Sequence, residues 1–397
     1  MENVSSSNGL EKYPKLRFPG FDEPYMECRI GDIYSERSQR GADDMELLSV
    51  TLNDGVMPRS EIEGKDNSSE DKSNYKVVCK GDMVYNSMRM WQGANGVSDY
   101  DGIVSPAYTV LMPNKEIDNR YFASLFKTPN LINEFRKYSQ GLTSDTWNLK
   151  YPQIRSIRLY IPSLQEQHKI SVFISTLEER IGIQRQLVDS LKKYKRGLLH
   201  EILCEKIKVT KSVWNVHKIG DYLNSKNIKQ LPTPDAPLMA FTATGGVCDK
   251  GERYDRGFLV KDASTKLYKR TDLNDFIYSS NNLDVGSIGL NLYGSAVISD
   301  VYEIFSISGA DPWFISEAIQ QKSVLHQILK YRQGCLYGQY RIYAEDFLEV
   351  SIRVPPLETQ KQIGTIFSRI EYKIKSEQAL LDNLERAKTF FLQQLFI

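Results

Sequence analysis

Pro162-Ser163-Leu164-Gln165-Glu166-Gln167 returns 193 residues later as Pro355-Pro356-Leu357-Glu358-Thr359-Gln360, and that return decides how the chain is built. The same shift lays Ile170 on Ile363, Glu178 on Glu371, Leu191 on Leu384 and Lys195 on Lys388. Upstream it lays Lys137-Tyr138-Ser139-Gln140-Gly141 on Lys330-Tyr331-Arg332-Gln333-Gly334, and Asp82-Met83-Val84-Tyr85 on Asp275-Phe276-Ile277-Tyr278. Ile30-Gly31-Asp32 and Ile219-Gly220-Asp221 match at a slightly different offset. A period this long is not a solenoid; it is two copies of one globular part followed by one long helix.

Each globular part begins with strand-like stretches, at 75–78 and 103–112, then at 238–242 and 296–307, separated by Gly, Asn and Asp clusters. A short helix is expected over 121–138 and over 313–331. A strand ending in proline and a long helix follow, so each part reads as α+β.

Pro162 and Pro355 precede runs with apolar residues at alternating spacings of four and three. The first runs Ile170, Ile174, Leu177, Ile181, Gln184, Val188, Leu191, Lys195, Leu198, Ile202. The second runs Ile363, Phe367, Ile370, Ile374, Glu377, Leu381, Leu384, Lys388, Phe391, Leu395. This is the rhythm of a coiled coil. Parallel packing in register would bury Lys195 against Lys388, which is costly. Antiparallel packing with facing residue numbers totalling 572 sets Lys195 opposite Glu377 and Gln184 opposite Lys388, and makes every other layer apolar. That register is the expectation, with the polar layers fixing it. It overlaps residues 177–202, about 39 Å at 1.5 Å per residue, or about 11 base pairs of B-DNA. The expected architecture is two similar α+β domains in a pseudo-twofold repeat, at opposite ends of two long helices packed as an antiparallel coiled coil.

Composition narrows function mainly by exclusion. Lys and Arg number 51 against 50 Asp and Glu, so nothing suggests indiscriminate coating of nucleic acid, although local basic surfaces remain open. No apolar run approaches the ~20 residues of a membrane span, and the start lacks a signal-peptide core. A cytoplasmic protein without membrane contact is expected. Five cysteines lie without C-x-x-C spacing and four histidines lie far apart, which argues against disulfides, zinc and any other metal site.

The opening Tyr13-Pro14-Lys15-Leu16-Arg17-Phe18-Pro19-Gly20 and the repeated Pro-x-Leu-x-x-Gln helix starts are familiar together. So are Gly81-Asp82-Met83-Val84-Tyr85-Asn86, Met88-Arg89-Met90-Trp91-Gln92-Gly93 and Tyr100-Asp101-Gly102-Ile103-Val104-Ser105-Pro106. With the two-fold repeat, they resemble specificity subunits of type I restriction–modification enzymes from about Tyr13 onward. The resemblance implies a non-catalytic subunit that reads a bipartite double-stranded DNA target, one half-site per domain, with the helix pair setting the spacer. It implies docking of two methyltransferase subunits, with restriction subunits joining through them. S-adenosylmethionine, ATP and magnesium would sit in those partners, and no cofactor in this chain. The expected divisions are a disordered tail over 1–14, target-recognition domains over 15–161 and 207–354, and long helices over 162–206 and 355–397.

Base edges are read by Arg, Lys, Asn, Gln, Ser and Thr, and loops present these most readily. The first candidate is the loop after the short helix: Lys137, Tyr138, Gln140, Thr143 and Ser144, and in the second copy Lys330, Tyr331, Arg332, Gln333, Tyr337, Gln339 and Arg341. The second holds Arg89, Trp91 and Gln92, with Asn281 and Asn282 near the equivalent place. A third is Thr242 and Thr244, with Lys250 and Arg253 beyond; no Gly-Lys-Ser/Thr follows, so this is not a P-loop. Arg37, Arg40, Lys226 and Lys229 are candidates for phosphates.

Two other functions compete. A DNA methyltransferase or nuclease with its own active site would draw on Asp311-Pro312-Trp313-Phe314, which approaches an amino-methyltransferase signature but lacks its second proline. The counterpart Asp118-Asn119-Arg120-Tyr121 keeps only the acid and an aromatic, so both read as helix N-caps. No glycine-rich cofactor loop follows an early strand. The other competitor is a coiled-coil adaptor that never touches DNA.

Overall fold

A computed structural model describes residues 12–41, 45–52, 55–66, 68–143, 146–243, 245–249, 266–281, 283, 287–336 and 339–397. Most of the expected tail, 1–11, lies outside the described residues, as do Ser144, Thr244, Lys250, Arg253, Asn282 and Tyr337. Contacts divide the chain into two units, one of Met1–Gln186 with Ala379–Ile397 and one of Leu187–Gln378.

In the first unit, strand Met26–Arg29 pairs antiparallel with Arg158–Ile161, which runs through Pro162 into the long helix Leu164–Leu203. A four-stranded antiparallel sheet runs in the order Tyr34–Glu36, Tyr108–Pro113, Met83–Asn86, Asn95–Val97. Alternation along Met83–Asn86 explains its two faces. Met83 and Tyr85 face helices Asn119–Leu125 and Pro129–Tyr138 in the main core. Val84 faces the hairpin Leu48–Thr51/Gly55–Pro58 and the pair Lys76–Val78/Gly102–Val104.

The second unit repeats this order. Strand Asn215–Lys218 pairs with Ser351–Val354, which leads to the long helix Leu357–Gln394. Its sheet runs Leu223–Ser225, Tyr302–Ile307, Phe276–Ser279, Ile288–Leu290. Phe276 and Tyr278 face the helices and Ile277 faces the other way, as their counterparts 193 residues earlier do.

The single short helix expected in each part is two helices. In the first unit Pro129 opens the second of them, and a proline drives the residue before it out of helical conformation; Thr128 is extended (φ −71°, ψ 145°). In the second unit helices Pro312–Ile319 and Lys322–Ile328 meet at Gln321, also extended (φ −60°, ψ 141°). The strand expected over 103–112 is likewise two, Gly102–Val104 and Tyr108–Pro113.

The long helices pack antiparallel within each unit. In the first, Arg185 meets Glu385 and Glu178 meets Lys388; in the second, Lys192 meets Gln378 and Lys195 meets Glu371. These pairs, totalling 566 to 570, flank apolar layers such as Ile170 with Leu395 and Ile202 with Ile363 that total 565 rather than 572, one heptad from the expected register. Lys195 therefore does not face Glu377, nor Gln184 Lys388. Phe391 meets Phe173 at 4.9 Å, Leu395 joins Ile170 and Ile174, and Ile202 joins Ile363 and Phe367. The shift makes Ile170, Ile174, Ile363 and Phe367 part of the seam. Polar residues did not need polar opposites, because a lysine stem lies along an apolar layer while its ammonium reaches outward. Lys195 reaches Glu371 at 3.0 Å and Glu317 at 2.6 Å, and Glu377 pairs with Lys373 one turn back on its own helix. The ~39 Å overlap falls with the expected register.

Candidate nucleic-acid interface

Two of the expected reading loops are joined in each unit by the same backbone hydrogen bond. In the first, Leu149 N donates to Ser87 O at 2.9 Å. In the second, Ile342 N donates to Ser280 O at 2.9 Å, the equivalent pair under the 193-residue shift.

In the first unit the sheet strand ends at Asn86, whose Oδ1 accepts from Met88 N. A single tight turn, Met90–Gln92, then closes on left-handed Gly93 (φ +83°). This presents Arg89 and Gln92 to solvent and leaves Trp91 half-buried. Trp91 packs edge-on against Trp147 at 5.3 Å, under the Arg136 guanidinium, and its Nε1 donates to Met88 O. Opposite it, Gln140 and Asn148 exchange backbone hydrogen bonds at 3.0 and 2.8 Å. Gly141 (φ +144°) makes that narrow loop possible, because an added Cβ would lie 2.6 Å from Thr146 O. Thr143 is exposed and tied to Thr146. Tyr138 is exposed, and Lys137 pairs with Glu134 on its own helix. A cleft of about 730 Å³ beside the turn is lined by Arg59, Lys65, Arg89, Trp91 and Gln92.

In the second unit Asn281 and Arg341 lie opposite each other as backbone partners. Arg341 also pairs with Gln333 across the short hairpin Gln333–Leu336/Gln339–Arg341, which places Gln339 on its return strand. Gln333 Nε2 donates to Asp346 at 2.6 Å. Arg332 donates to Leu329 O and lies over Tyr340. Lys330 and Tyr331 are exposed.

Other candidates are placed differently. Arg37 makes a two-pronged pair with Asp82, at 2.7 and 3.0 Å. Lys226 holds Asp272 and Asp275, each at 2.7 Å. Asp275 is the 193-shifted counterpart of Asp82, so this basic–acidic pair recurs in both units as a fastening inside the fold. Burial opposes the charge on Lys226, but its two carboxylates outweigh that and hold its pKa up. Arg40 contacts Asn74 and Lys229 lies 3.6 Å from Asp300; both are exposed. Thr242 accepts from Gly245 N in its hairpin turn and lines a separate cleft of about 430 Å³ with Lys195, Trp313, Glu317 and Glu371. It is not brought to the joined loops.

Sequence reasoning missed Leu142, fully exposed at the tip of the first loop, and Glu303, which bonds Arg341 at 3.1 Å. The signal for Glu303 was available: it is a carboxylate inside the strand Tyr302–Ile307. Asp118 and Asp311 cap their helices, accepting from Tyr121 N and Phe314 N. Among the described residues no cluster of three His, Cys, Asp or Glu could hold a metal, and no helix is long and apolar enough to cross a membrane.

Residues 23–193 and 212–386 each match the type I restriction modification DNA specificity domain. The chain belongs to this family. Two copies of one DNA specificity domain account for the internal repeat, and this specificity subunit carries two recognition domains. It is 22% identical over 354 residues to a protein of Methanocaldococcus jannaschii carrying the name MjaX type I restriction enzyme specificity subunit, covering 82% of this chain and 79% of that one. It is 27% identical over 129 residues to the HindI specificity subunit of Haemophilus influenzae, covering 31% and 28%. The fold is that of a type I restriction–modification S subunit from M. genitalium: TM-score 0.66, 14% identity, 97% of this chain and 99% of that one.

Proposed function

We propose that this specificity subunit reads a bipartite duplex, each unit inspecting one half-site through its joined loops, and that it performs no chemistry itself. It docks two methyltransferase subunits, and restriction subunits join through them. Those partners supply the S-adenosylmethionine, ATP and magnesium chemistry, and the complex works in the cytoplasm. The observation that carries the reading is the repeated loop junction. One framework bond, Ser87 to Leu149 and Ser280 to Ile342, holds two loops together in both units. Beside shared residues such as Gln140 and Gln333, the side chains mounted on it differ: Arg89, Gln92 and Thr143 in one, Asn281, Arg332 and Arg341 in the other. A shared frame carrying unlike donors and acceptors is what reading two unlike half-sites requires.

The test is to purify the chain with its methyltransferase partner and footprint it on duplexes chosen from the methylated sites of the source genome. Protection of two separated half-sites is expected. A complex that forms but protects no duplex leaves the adaptor reading, and methylation by the chain alone overturns the non-catalytic assignment.

A further inference from the structure

The geometry points to Arg341 as the reader of a guanine in the half-site of the second unit, with Glu303 as its positioning residue. This rests on the DNA-reading function proposed above.

Arg341 stands out among the loop candidates because its guanidinium is braced while remaining 45% exposed. Its Nη2 donates to Glu303 Oε1 at 3.1 Å, and its Cζ lies 5.1 Å from the Tyr343 ring centroid. Its backbone is pinned by Gln333 across the hairpin and by Asn281 from the neighbouring loop. Glu303 is itself held. Its other oxygen accepts from Lys269 at 2.9 Å, and Lys269, buried, also donates to Tyr302 O at 2.8 Å. The chain Lys269–Glu303–Arg341 thus runs from inside the fold to its reading surface.

A guanidinium has five N–H donors, and Glu303 takes one. The donors left over match the paired acceptors O6 and N7 that guanine shows in the major groove. An arginine already fixed in orientation loses less freedom when it binds, so bracing favours selectivity. The first unit carries no such device. At the positions equivalent to Arg341 and Glu303 in the paired strands stand Asn148 and Thr109; Lys76, the counterpart of Lys269, likewise donates to a strand carbonyl, Tyr108 O, but pairs with Glu36. A guanine requirement that depends on Arg341 and Glu303 therefore belongs to the second unit's half-site.

The experiment uses the full chain in complex with its methyltransferase partner, and its cognate duplex with each guanine replaced in turn by 7-deazaguanine, which lacks N7. One replacement, in one half-site, is expected to weaken wild-type binding about tenfold. It should have no further effect on Arg341→Ala, which lacks the paired contact. Glu303→Gln should reduce the guanine-over-adenine preference at that position while sparing the other half-site, and Glu303→Asp should restore part of it. Specific binding with no 7-deazaguanine position coupled to Arg341 overturns the inference and leaves the DNA-reading function standing. Failure to bind any duplex specifically overturns both. If no replacement weakens binding by the unaltered protein, the inference falls without any variant, and if Arg341→Ala does not fold, Glu303→Gln supplies the coupling to the sensitive position.

Discussion

Arg37 illustrates how a residue suited to phosphate becomes a strut. Asp82 is buried, and a buried carboxylate left without its cation is strongly destabilising. Arg37→Ala is expected to lower unfolding free energy by about 3 kcal/mol, read from the urea midpoint. Arg37→Lys should lose less, since Lys226 performs the same service for Asp275. Glu317 makes a different prediction. Burial pushes its carboxyl above the ordinary glutamate range, against the pull of Lys195, so the folded state keeps this proton to higher pH than the unfolded chain does. Stability from this group is therefore present below the ordinary glutamate pKa and declines as pH rises through the raised one. Carbon-detected NMR of labelled glutamate should find Glu317 titrating above the other glutamates, and Lys195→Met should move it higher still. A Glu317 that titrates with the rest contradicts the burial argument.

At the scale of elements, the register of the long helices has a direct test. Exchanging Glu178→Lys with Lys388→Glu should recover about 0.5 kcal/mol relative to the sum of the single changes. Lys195→Glu with Glu377→Lys should recover nothing, because those residues do not face each other. Denaturant midpoints of the four singles and two doubles decide it. The helices, their antiparallel sense and the repeat were all legible in the sequence, because spacing and the 193-residue shift report them directly. The register was not. A rule that sets polar residues opposite polar ones ignored the reach of a lysine side chain, and Glu317, which takes half of Lys195, lies in a distant stretch of sequence. Thr128–Pro129 could have been read as a helix break, since the proline was in view. The corresponding break at Gln321 carries no proline and little local signal.

For the whole molecule, the repeat predicts separable effects. Asn281→Ala should change recognition in one half of the target and leave the other unchanged, as measured by genome-wide methylation profiling of a strain carrying the variant. Changes spread over both halves would sink the assignment of one half-site to each unit. The two candidate loops were legible as candidates, but that they are joined was not, because a single backbone bond between Ser87 and Leu149 has no sequence signature. The division of the chain also bears on how it is made. Leu395 and Phe396 fill the first core, whereas the second needs nothing beyond Gln378. During synthesis from the N-terminus, the part begun first must be the last completed. Until the final helical turns leave the ribosome, Ile170 and Ile174 wait without their cover, a sticky nascent surface that the later-begun half never has to carry for so long.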